Sequence, residues 1–260
     1  MSAPLGPREL MACLLADRLH DEEILIVGGA SIVPMAAGLL AQRTHAPNLT
    51  LLTGSGAVNP RPRELVPGGG DYEYLRTAEA HFTMEDVFDD TERGRWDVAI
   101  FGGIQVDRHG NFNLTYVGGT LAHPHFRGPG FVNAGIATSA RRFMLHCEQH
   151  TPRTLVAEVD FASGTGARRP DGGPYPPDRR GTGPDHCVTA LACLRITAEG
   201  VFEVVSRHPG VTAEQLRRST GFPVDVTDAV PITPTPDPEQ LGVLRELIDP
   251  TGTLNEARRR

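Results

Sequence analysis

The chain has 260 residues, a formal net charge of −7, 39% hydrophobic residues and 6% aromatic residues. This composition supports a core built mainly from aliphatic side chains, and it argues against an intrinsically disordered chain. The acidic balance argues against a nucleic-acid-binding surface, which requires clustered cations. No lysine occurs, so a lysine Schiff base is excluded, and phosphate contacts must come from arginine, histidine or backbone N–H groups.

The cysteines and the N-terminus indicate a reducing compartment. None of the four cysteines forms a C-x-x-C pair, and "MSAPLGPREL" has no apolar signal core. We therefore expect a cytoplasmic location. No apolar run approaches the roughly 20 residues of a membrane span. The histidines and cysteines also lack the spacing of a metal site, so no metal is predicted.

The N-terminal part alternates helical and strand patterns. "GPRELMACLLADRLHD" has apolar residues at helical spacing, and "EEILIVGGA" follows as a strand. "SIVPMAAGLLAQRTH" predicts a helix with Ser31 as its cap and Pro34 in its first turns, and "NLTLL" predicts the next strand. This strand–helix–strand order predicts a parallel pair.

The remaining elements continue the alternation. In chain order they are a Pro/Gly-rich loop over 59–75, an acidic helix over 83–94, a buried strand over 95–107, a Gly/Pro-rich loop over 118–135, strands over 141–148 and 154–161, an irregular stretch over 162–185, a hairpin over 187–208, and helices over 212–221 and 237–249. Together they predict a single domain over 1–260 with an α/β fold, in which helices flank an open, mainly parallel sheet.

The stretch "LLTGSGAVNP" is the first candidate site. Its strand passes into the turn Gly54-Ser55-Gly56, at the kind of strand end where α/β enzymes place catalytic side chains. The turn offers no acid, histidine or cysteine. Three carboxylates follow on the next loop, and we expect them to be solvated, although one could act as a base if the loop folds back. They are Glu64, Asp71 and Glu73.

Two further glycine-rich stretches are candidates for binding an anion. Gly28-Gly29 opens a helix, where free N–H groups can receive phosphate or carboxylate, although a purely structural turn is slightly favoured. The stretch is not G-x-G-x-x-G, so nicotinamide binding has little support. "FRGPGFVNAG" contains Gly128, Gly130, Phe131 and Asn133, and backbone N–H groups in such loops can hold an anion or an oxyanion.

The stretch "GGIQVDRHGNFN" places polar side chains on a turn after a buried strand. Asp107 and Asn111 are typical of turns in which the side chain bonds its own backbone, and we favour that structural role for Asp107 over a catalytic one. His109 is expected to be exposed.

These stretches in combination resemble the β subunit of class I CoA-transferases of the glutaconate type. The order of the motifs carries the resemblance: "GGASIVPMAAGLLAQRTHAPNLTLL", "FGGIQVDRHGNFN", "FRGPGFVNAGIATSA", "VDFASGTG", "HPGVTAEQLRRSTGF" and "LRELIDP". The chain is also similar to the β subunit of actinobacterial hydrolases that open steroid-derived rings as CoA thioesters. Those share "LLT", the Q-V-D-x-x-G-N turn, "GPDH" and "HPGVT".

The resemblance implies a CoA-transferase fold and an active site built with an α subunit in a heterodimer or heterotetramer. It implies an acyl-CoA substrate, with coenzyme A as part of that substrate and no permanently bound cofactor. The implied substrate-binding residues are Gly28, Gly29, Gln105, Asp107, Asn111, Gly128, Gly130, Phe131 and Asn133. The transferases read G-S-G-G-A-N where this chain has residues 128–133, so Phe131 replaces a glycine.

The resemblance also implies that one catalytic group is missing. The transferases attack the acyl-CoA with a β-subunit glutamate in an E-x-G turn, and this turn maps onto Gly54-Ser55-Gly56 with the glutamate at Gly54. Because glycine offers no side chain to acylate, the covalent route cannot pass through residue 54.

Three hypotheses follow. The first is hydrolysis, C–C cleavage or acyl transfer with a base from the α subunit. The second is true CoA transfer, either direct or through another carboxylate such as Glu64. The third is a non-catalytic subunit that binds CoA and holds its partner.

Overall fold

The computed structural model describes residues 3–29, 31–131, 134–175 and 179–258. The chain forms two compact units, residues 1–101 with 235–260 and residues 102–234. The single domain over 1–260 stays a prediction. None of the helices in the described segments combines the length and the apolar character needed to cross a membrane.

Seven α-helices occur in the described segments. They are α1 (Pro7–Ala16), α2 (Ile32–Arg43), α3 (Tyr72–Arg76), α4 (Met84–Glu92), α5 (Ile136–Ser139), α6 (Ala213–Ser219) and α7 (Pro238–Val243). A π-helical turn at Leu244–Ile248 continues α7, and a 3₁₀ turn lies at Glu256–Arg258.

Fourteen strands occur in the same segments. They are β1 (Ile24–Val27), β2 (Thr50–Thr53), β3 (Ala57–Val58), β4 (Ala80–His81), β5 (Val98–Gly102), β6 (Gln105–Asp107), β7 (Phe112–Asn113), β8 (Tyr116–Gly119), β9 (Pro124–Arg127), β10 (Arg142–Cys147), β11 (Leu155–Val156), β12 (Pro184–Thr189), β13 (Ala192–Ile196) and β14 (Phe202–Arg207).

The sheet of the first unit has the order β5-β1-β2-β3-β4. β1 is parallel to both β2 and β5, whereas β3 and β4 pair antiparallel. The predicted α/β fold is confirmed, with a sheet that is parallel at its centre. Helix α2 connects β1 to β2 and lies close on both strands, because a Cβ at Gly38 would approach Leu51 Cδ1 to 2.9 Å and Leu25 Cδ2 to 3.0 Å.

A buried carboxylate joins the two ends of the first unit. Glu9 on α1 is fully buried and accepts two hydrogen bonds of 2.8 Å from Arg245. Asn255 donates to the same carboxylate at 2.8 Å, and Arg258 pairs with it at 3.3 Å. Burial alone would raise the pKa of Glu9, but these bonds outweigh it and lower the pKa. The segment after residue 235 is therefore tied to α1 through charge.

The second unit has a sheet of order β14-β13-β12-β10, in which β10 and β12 are parallel and the other pairs antiparallel. A smaller sheet has the order β11-β6-β7, and β8 pairs with β9. The prediction of a loop over 118–135 is wrong where β8 ends and where β9 lies within that range. Gly118 and Gly119 have φ values of 65° and 73°, and a Cβ on Gly119 would lie 2.3 Å from the His123 carbonyl oxygen, so glycine permits the β8–β9 turn.

The predicted strand over 95–107 is interrupted. It forms β5 and β6, which are separated at Gly103 and Ile104. The stretch "CVTALACLRIT" likewise forms two strands, β12 and β13, so the predicted hairpin is a three-stranded antiparallel meander with β14. Thr212 caps α6 as predicted, because its side chain accepts from Gln215 N at 3.1 Å.

Two buried histidines of the second unit bond to threonines. His150 contacts Thr189 Oγ1 at 2.8 Å and Thr220 Oγ1 at 2.9 Å. His208 contacts Thr233 Oγ1 and the carbonyl oxygen of Thr189, both at 2.9 Å. Burial lowers the pKa of His150 to about 4, and His208 adds to this effect. The network is therefore built for neutral imidazoles.

His146 on β10 lacks such partners. Neither of its ring nitrogens has a hydrogen-bond partner in the described part of the chain. Its Nε2 lies against Gly102, where a Cβ would be only 3.2 Å away. Burial lowers the pKa of His146 to about 4.

We expect the free energy of unfolding to fall as the pH drops below about 6.5. In that range His146 and His150 bind protons in the unfolded chain but stay neutral in the folded one. Both folded pKa values are about 4. The stabilisation is complete above the unfolded pKa and is lost progressively as the pH falls toward the folded one. The loss amounts to about 2 kcal/mol per histidine at about pH 5.

Urea unfolding at about pH 7.5 and about pH 5 measures this loss. His146→Phe should retain more stability at the lower pH than the wild type does, because one proton-binding site is gone from the unfolded chain. His123→Gln, at an exposed position, is the control. Equal acid losses in all three proteins would contradict the prediction.

Candidate active site

Two glycine turns lie side by side at the carboxyl ends of β1 and β2. The strands are paired in parallel with Val27 opposite Thr53, so both chains leave the sheet at the same level. Gly28-Gly29 follows β1, and Gly54-Ser55-Gly56 follows β2. The carboxyl edge of parallel strands is where open α/β sheets bind their ligands. The first unit therefore contains the candidate site that the sequence predicts.

Gly54 faces the neighbouring turn. Its N–H donates to the Val27 carbonyl oxygen at 2.8 Å. A Cβ at residue 54 would lie 3.3 Å from Gly29 N and 3.4 Å from the Val27 carbonyl oxygen. These distances are tight but need only a small adjustment. A side chain at this position would thus begin directly over Gly28-Gly29.

Gly56 cannot be replaced so easily. Its φ is +88°, and a Cβ there would lie 2.0 Å from the Phe82 carbonyl oxygen. The backbones of the two residues also bond, because Phe82 N donates to the Gly56 carbonyl oxygen at 2.8 Å. The turn is closed by Gly56 N, which donates to the Thr53 carbonyl oxygen at 2.9 Å. Residue 56 is therefore glycine for both conformational and steric reasons.

The two hydroxyl groups of the turn are occupied. Ser55 Oγ donates to the Gly69 carbonyl oxygen at 2.6 Å and lies 2.8 Å from Thr53 Oγ1. Thr53 Oγ1 accepts from Ala57 N at 3.0 Å. No histidine or carboxylate hydrogen-bonds to either hydroxyl in the described segments. Ser55 thus holds the following loop in place and has no base to activate it.

The loop over 59–75 folds back onto the turn through Gly69. Gly69 N donates to the Gly29 carbonyl oxygen at 2.6 Å, and a Cβ at Gly69 would lie 3.1 Å from the Gly28 carbonyl oxygen. Sequence reasoning missed this contact, because the run of three glycines in "PGGG" indicates a flexible loop but not which segment it meets. Gly69 completes a site wall made of backbone from three segments.

Among the described residues, the three carboxylates of this loop do not hydrogen-bond to the turn. Glu64 is exposed. Asp71 caps α3 by accepting from Glu73 N at 2.9 Å. Glu73 accepts from Arg63 N at 3.1 Å and pairs with Arg76, and these bonds lower its pKa. None of the three side chains hydrogen-bonds to the residues of the turn within the described segments.

In the second unit, Asp107 supports its own turn. It is fully buried, and its Oδ1 accepts from the N–H groups of His109 at 2.9 Å and Asn111 at 3.1 Å. Burial raises the pKa of Asp107, and these bonds oppose that effect in part. The geometry agrees with the structural role that the sequence favours. His109 is 2% exposed and contacts the Gly200 carbonyl oxygen at 2.7 Å, so its expected exposure is wrong.

Asn111 anchors the long irregular stretch. Its Oδ1 accepts from Gly166 N at 2.7 Å and from the Tyr175 hydroxyl at 2.5 Å, and its Nδ2 donates to the Arg168 carbonyl oxygen at 2.9 Å. Gln105 is likewise committed, because its Oε1 accepts from Asn113 Nδ2 at 2.8 Å and from Asp160 N at 3.1 Å. Direct substrate binding by these amides stays a prediction.

The loop at 128–131 is hydrogen-bonded to the short connection between β7 and β8. Gly128 N donates to the Thr115 carbonyl oxygen, and Gly130 N donates to the Leu114 carbonyl oxygen, both at 2.8 Å. A Cβ at Gly130 would have no neighbour within 4 Å, so its free face is open. Phe131 packs edge-on against Phe112 with ring centroids 5.2 Å apart. Asn133 lies outside the described residues.

The described segments contain no group of three or more histidine, cysteine or acidic side chains placed to hold a metal ion. The four cysteines are buried and form no disulfide within the described segments. The chemistry available at the turn in the first unit is therefore that of backbone groups, which can position and polarise a carbonyl but cannot accept an acyl group.

Comparison with known proteins places this geometry in a family context. Residues 8–218 match the family described as coenzyme A transferase. The chain is 33% identical over 244 residues to the B subunit of the 3-oxoadipate CoA-transferase of Pseudomonas knackmussii, covering 92% of each chain. It is 27% identical over 255 residues to the B subunit of the glutaconate CoA-transferase of Acidaminococcus fermentans, covering 94% of this chain and 92% of that one.

Two relatives carry names of other activities. The cholesterol ring-cleaving hydrolase IpdB subunit of Rhodococcus jostii is 28% identical over 243 residues, covering 93% of this chain and 92% of that one. The crystal structure of the decarboxylase AibA/AibB superposes with a TM-score of 0.83 at 31% identity, covering 98% of this chain and 99% of that chain.

Gly56→Ala and Gly54→Ala should differ in stability. We expect Gly56→Ala to lower the free energy of unfolding by at least about 2 kcal/mol, through left-handed strain and the clash with Phe82. Gly54→Ala should cost no more than about 1 kcal/mol, because its Cβ needs only a small adjustment. Urea unfolding of both variants measures the difference. Equal losses would contradict the geometry of the turn.

Proposed function

This chain belongs to the coenzyme A transferase family, and on that premise we propose that it is the β subunit of an enzyme that acts on an acyl-CoA thioester without a covalent intermediate at residue 54. Its partner is an α subunit of the same family. The relatives support this pairing, because three of them are named as subunits and the decarboxylase is a pair, AibA/AibB.

The observation that carries the proposal is the backbone-only turn after β2. A covalent route needs a side chain that accepts the acyl group, and Gly54 has none. The hydroxyls of Thr53 and Ser55 are held by hydrogen bonds within the turn and to Gly69. Glu64 is exposed on the surface of the following loop. This chain therefore supplies binding and polarisation, and the base comes from the α subunit.

In the proposed hydrolytic step, that base removes a proton from water, and the oxygen attacks the thioester carbonyl carbon. The C–S bond breaks, and coenzyme A leaves as a thiol after taking up the proton. The N–H of Gly29, which lies 3.3 Å from the position of a Cβ at residue 54, is the backbone donor that we propose for the developing oxyanion. Attack of water on a ketone or loss of carbon dioxide from the acyl group would use the same arrangement. The names of the ring-cleaving hydrolase and the decarboxylase support such variants.

The isotope test uses this chain together with its α subunit. Candidate CoA thioesters are incubated in oxygen-18 water, with a free carboxylic acid added. We expect labelled acid, a labelled ring-opened product or released carbon dioxide, and no transfer of CoA to the added acid. Formation of the added acid's CoA ester, without label in the product, would overturn the proposal.

Gly54→Glu tests whether residue 54 lies at the reacting carbonyl. A side chain at this position starts 3.3 Å from Gly29 N, so a glutamate would project over the Gly28-Gly29 turn. We expect Gly54→Glu to give a carboxylate that hydroxylamine traps after incubation with acyl-CoA. Gly54→Gln has nearly the same volume and no nucleophile, and it should stay unmodified. If mass spectrometry detects no modification of either variant, residue 54 is not at the acyl site.

True CoA transfer is the second candidate, and the 33% identity to the B subunit of the 3-oxoadipate CoA-transferase favours it. It would proceed either directly between the substrates or through another carboxylate, for which Glu64 is the candidate on this chain. Because Glu64 is exposed, we expect Glu64→Gln to keep kcat within about twofold of the wild type. A loss of about a hundredfold or more would instead support a covalent role for Glu64.

A further inference from the structure

A cavity of about 400 Å³ lies at the end of β2 opposite the Gly54 turn. Polar and charged side chains dominate its lining. The lining residues are Gln42, Arg43, Pro47, Asn48, Leu49, Asn59, Arg61 and Glu79. Leu49 immediately precedes β2, and Asn59 immediately follows β3. The cavity and the candidate active site therefore lie at opposite ends of these two strands.

The cavity carries an uncompensated positive charge. Arg61 pairs with Glu79 at 2.6 Å. Arg43 has no carboxylate partner in the described part of the chain, and its one hydrogen bond is a long one of 3.3 Å from Nη1 to the Leu39 carbonyl oxygen. Arg43 is half-buried, and burial together with Arg61 lowers its pKa. Partial burial of an unpaired guanidinium is costly, and an anion would offset that cost.

Asn59, one of the lining residues, has a left-handed backbone conformation with a φ of 46°. Its Oδ1 accepts from Leu51 N and Gln42 Nε2, both at 2.9 Å, and its Nδ2 donates to Glu79 Oε2 at 3.0 Å. These bonds turn Glu79 toward Asn59 and Arg61. Asn tolerates this region better than most residues, and here its side chain fixes the shape of the lining.

We propose that this cavity binds a small anion through a carboxylate or phosphate group, with Arg43 as the principal partner and Arg61 as the second. The three charged lining residues Arg43, Arg61 and Glu79 sum to one positive charge. Asn48 is partly committed, because its N–H and one hydrogen of its Nδ2 bond to Asp21 at 2.6 and 2.9 Å. The planar guanidinium of Arg43 suits two oxygens of one anionic group. The site is separate from the proposed acyl-CoA chemistry.

Calorimetric titration of the full chain tests the proposal. The probes are inorganic phosphate and succinate, with sodium chloride at matched ionic strength as the blank. We expect saturable binding to one site that Arg43→Gln weakens at least about tenfold and Arg61→Gln less, because Arg61 is already shared with Glu79. Tighter phosphate binding assigns a phosphate ester as the ligand, whereas tighter succinate binding assigns a carboxylate.

Arg93→Gln is the matched control, since it removes the same charge from a surface arginine that pairs with Asp89 and Asp90. Its binding should equal that of the wild type. Should Arg43→Gln unfold, Arg43→Lys keeps the charge and should bind about three- to tenfold more weakly than the wild type. Three results would overturn the proposal: no saturable binding, equal affinity in the Arg43 and Arg93 variants, or loss of phosphate binding when the α subunit is added.

Discussion

The candidate site depends on the contact between the Phe82 carbonyl oxygen and Gly56. That oxygen occupies the space of a Cβ, so the chain can reverse within Gly54-Ser55-Gly56 and enter β3 beside β2. The reversal sets Gly54 over the turn after β1. It also aims Ser55 at Gly69, which brings the next loop down onto the same place. One absent side chain at residue 56 therefore controls where three backbone segments meet.

The same turn is held together without any side chain at residue 54. It is constructed from backbone groups and the hydroxyls of Thr53 and Ser55, and Gly54 contributes only its backbone. A side chain at residue 54 would thus be an addition to the turn and not a support of it.

The sequence predicts features that are local in the chain. Helix α1 follows from its apolar spacing, the parallel β1–β2 pair from the element order, and the Thr212 cap from residue type. It does not predict contacts between distant residues. His109 looks like a turn residue until Gly200 is seen to accept its ring N–H, and Gly69 looks like an ordinary loop glycine until it meets Gly29. Both contacts join segments that no short pattern connects.

In the second unit, polar side chains from the predicted site residues hold the local backbone in place. Asp107 holds its own turn, and Asn111 holds three points of the 162–175 stretch. In the first unit, the fully buried Glu9 has a consequence for biosynthesis. Its counter-ions, Arg245 and Arg258, follow the whole of the second unit in the chain. Until translation reaches them, α1 carries a carboxylate that cannot be desolvated, so the first unit completes its folding only after the second has been synthesised.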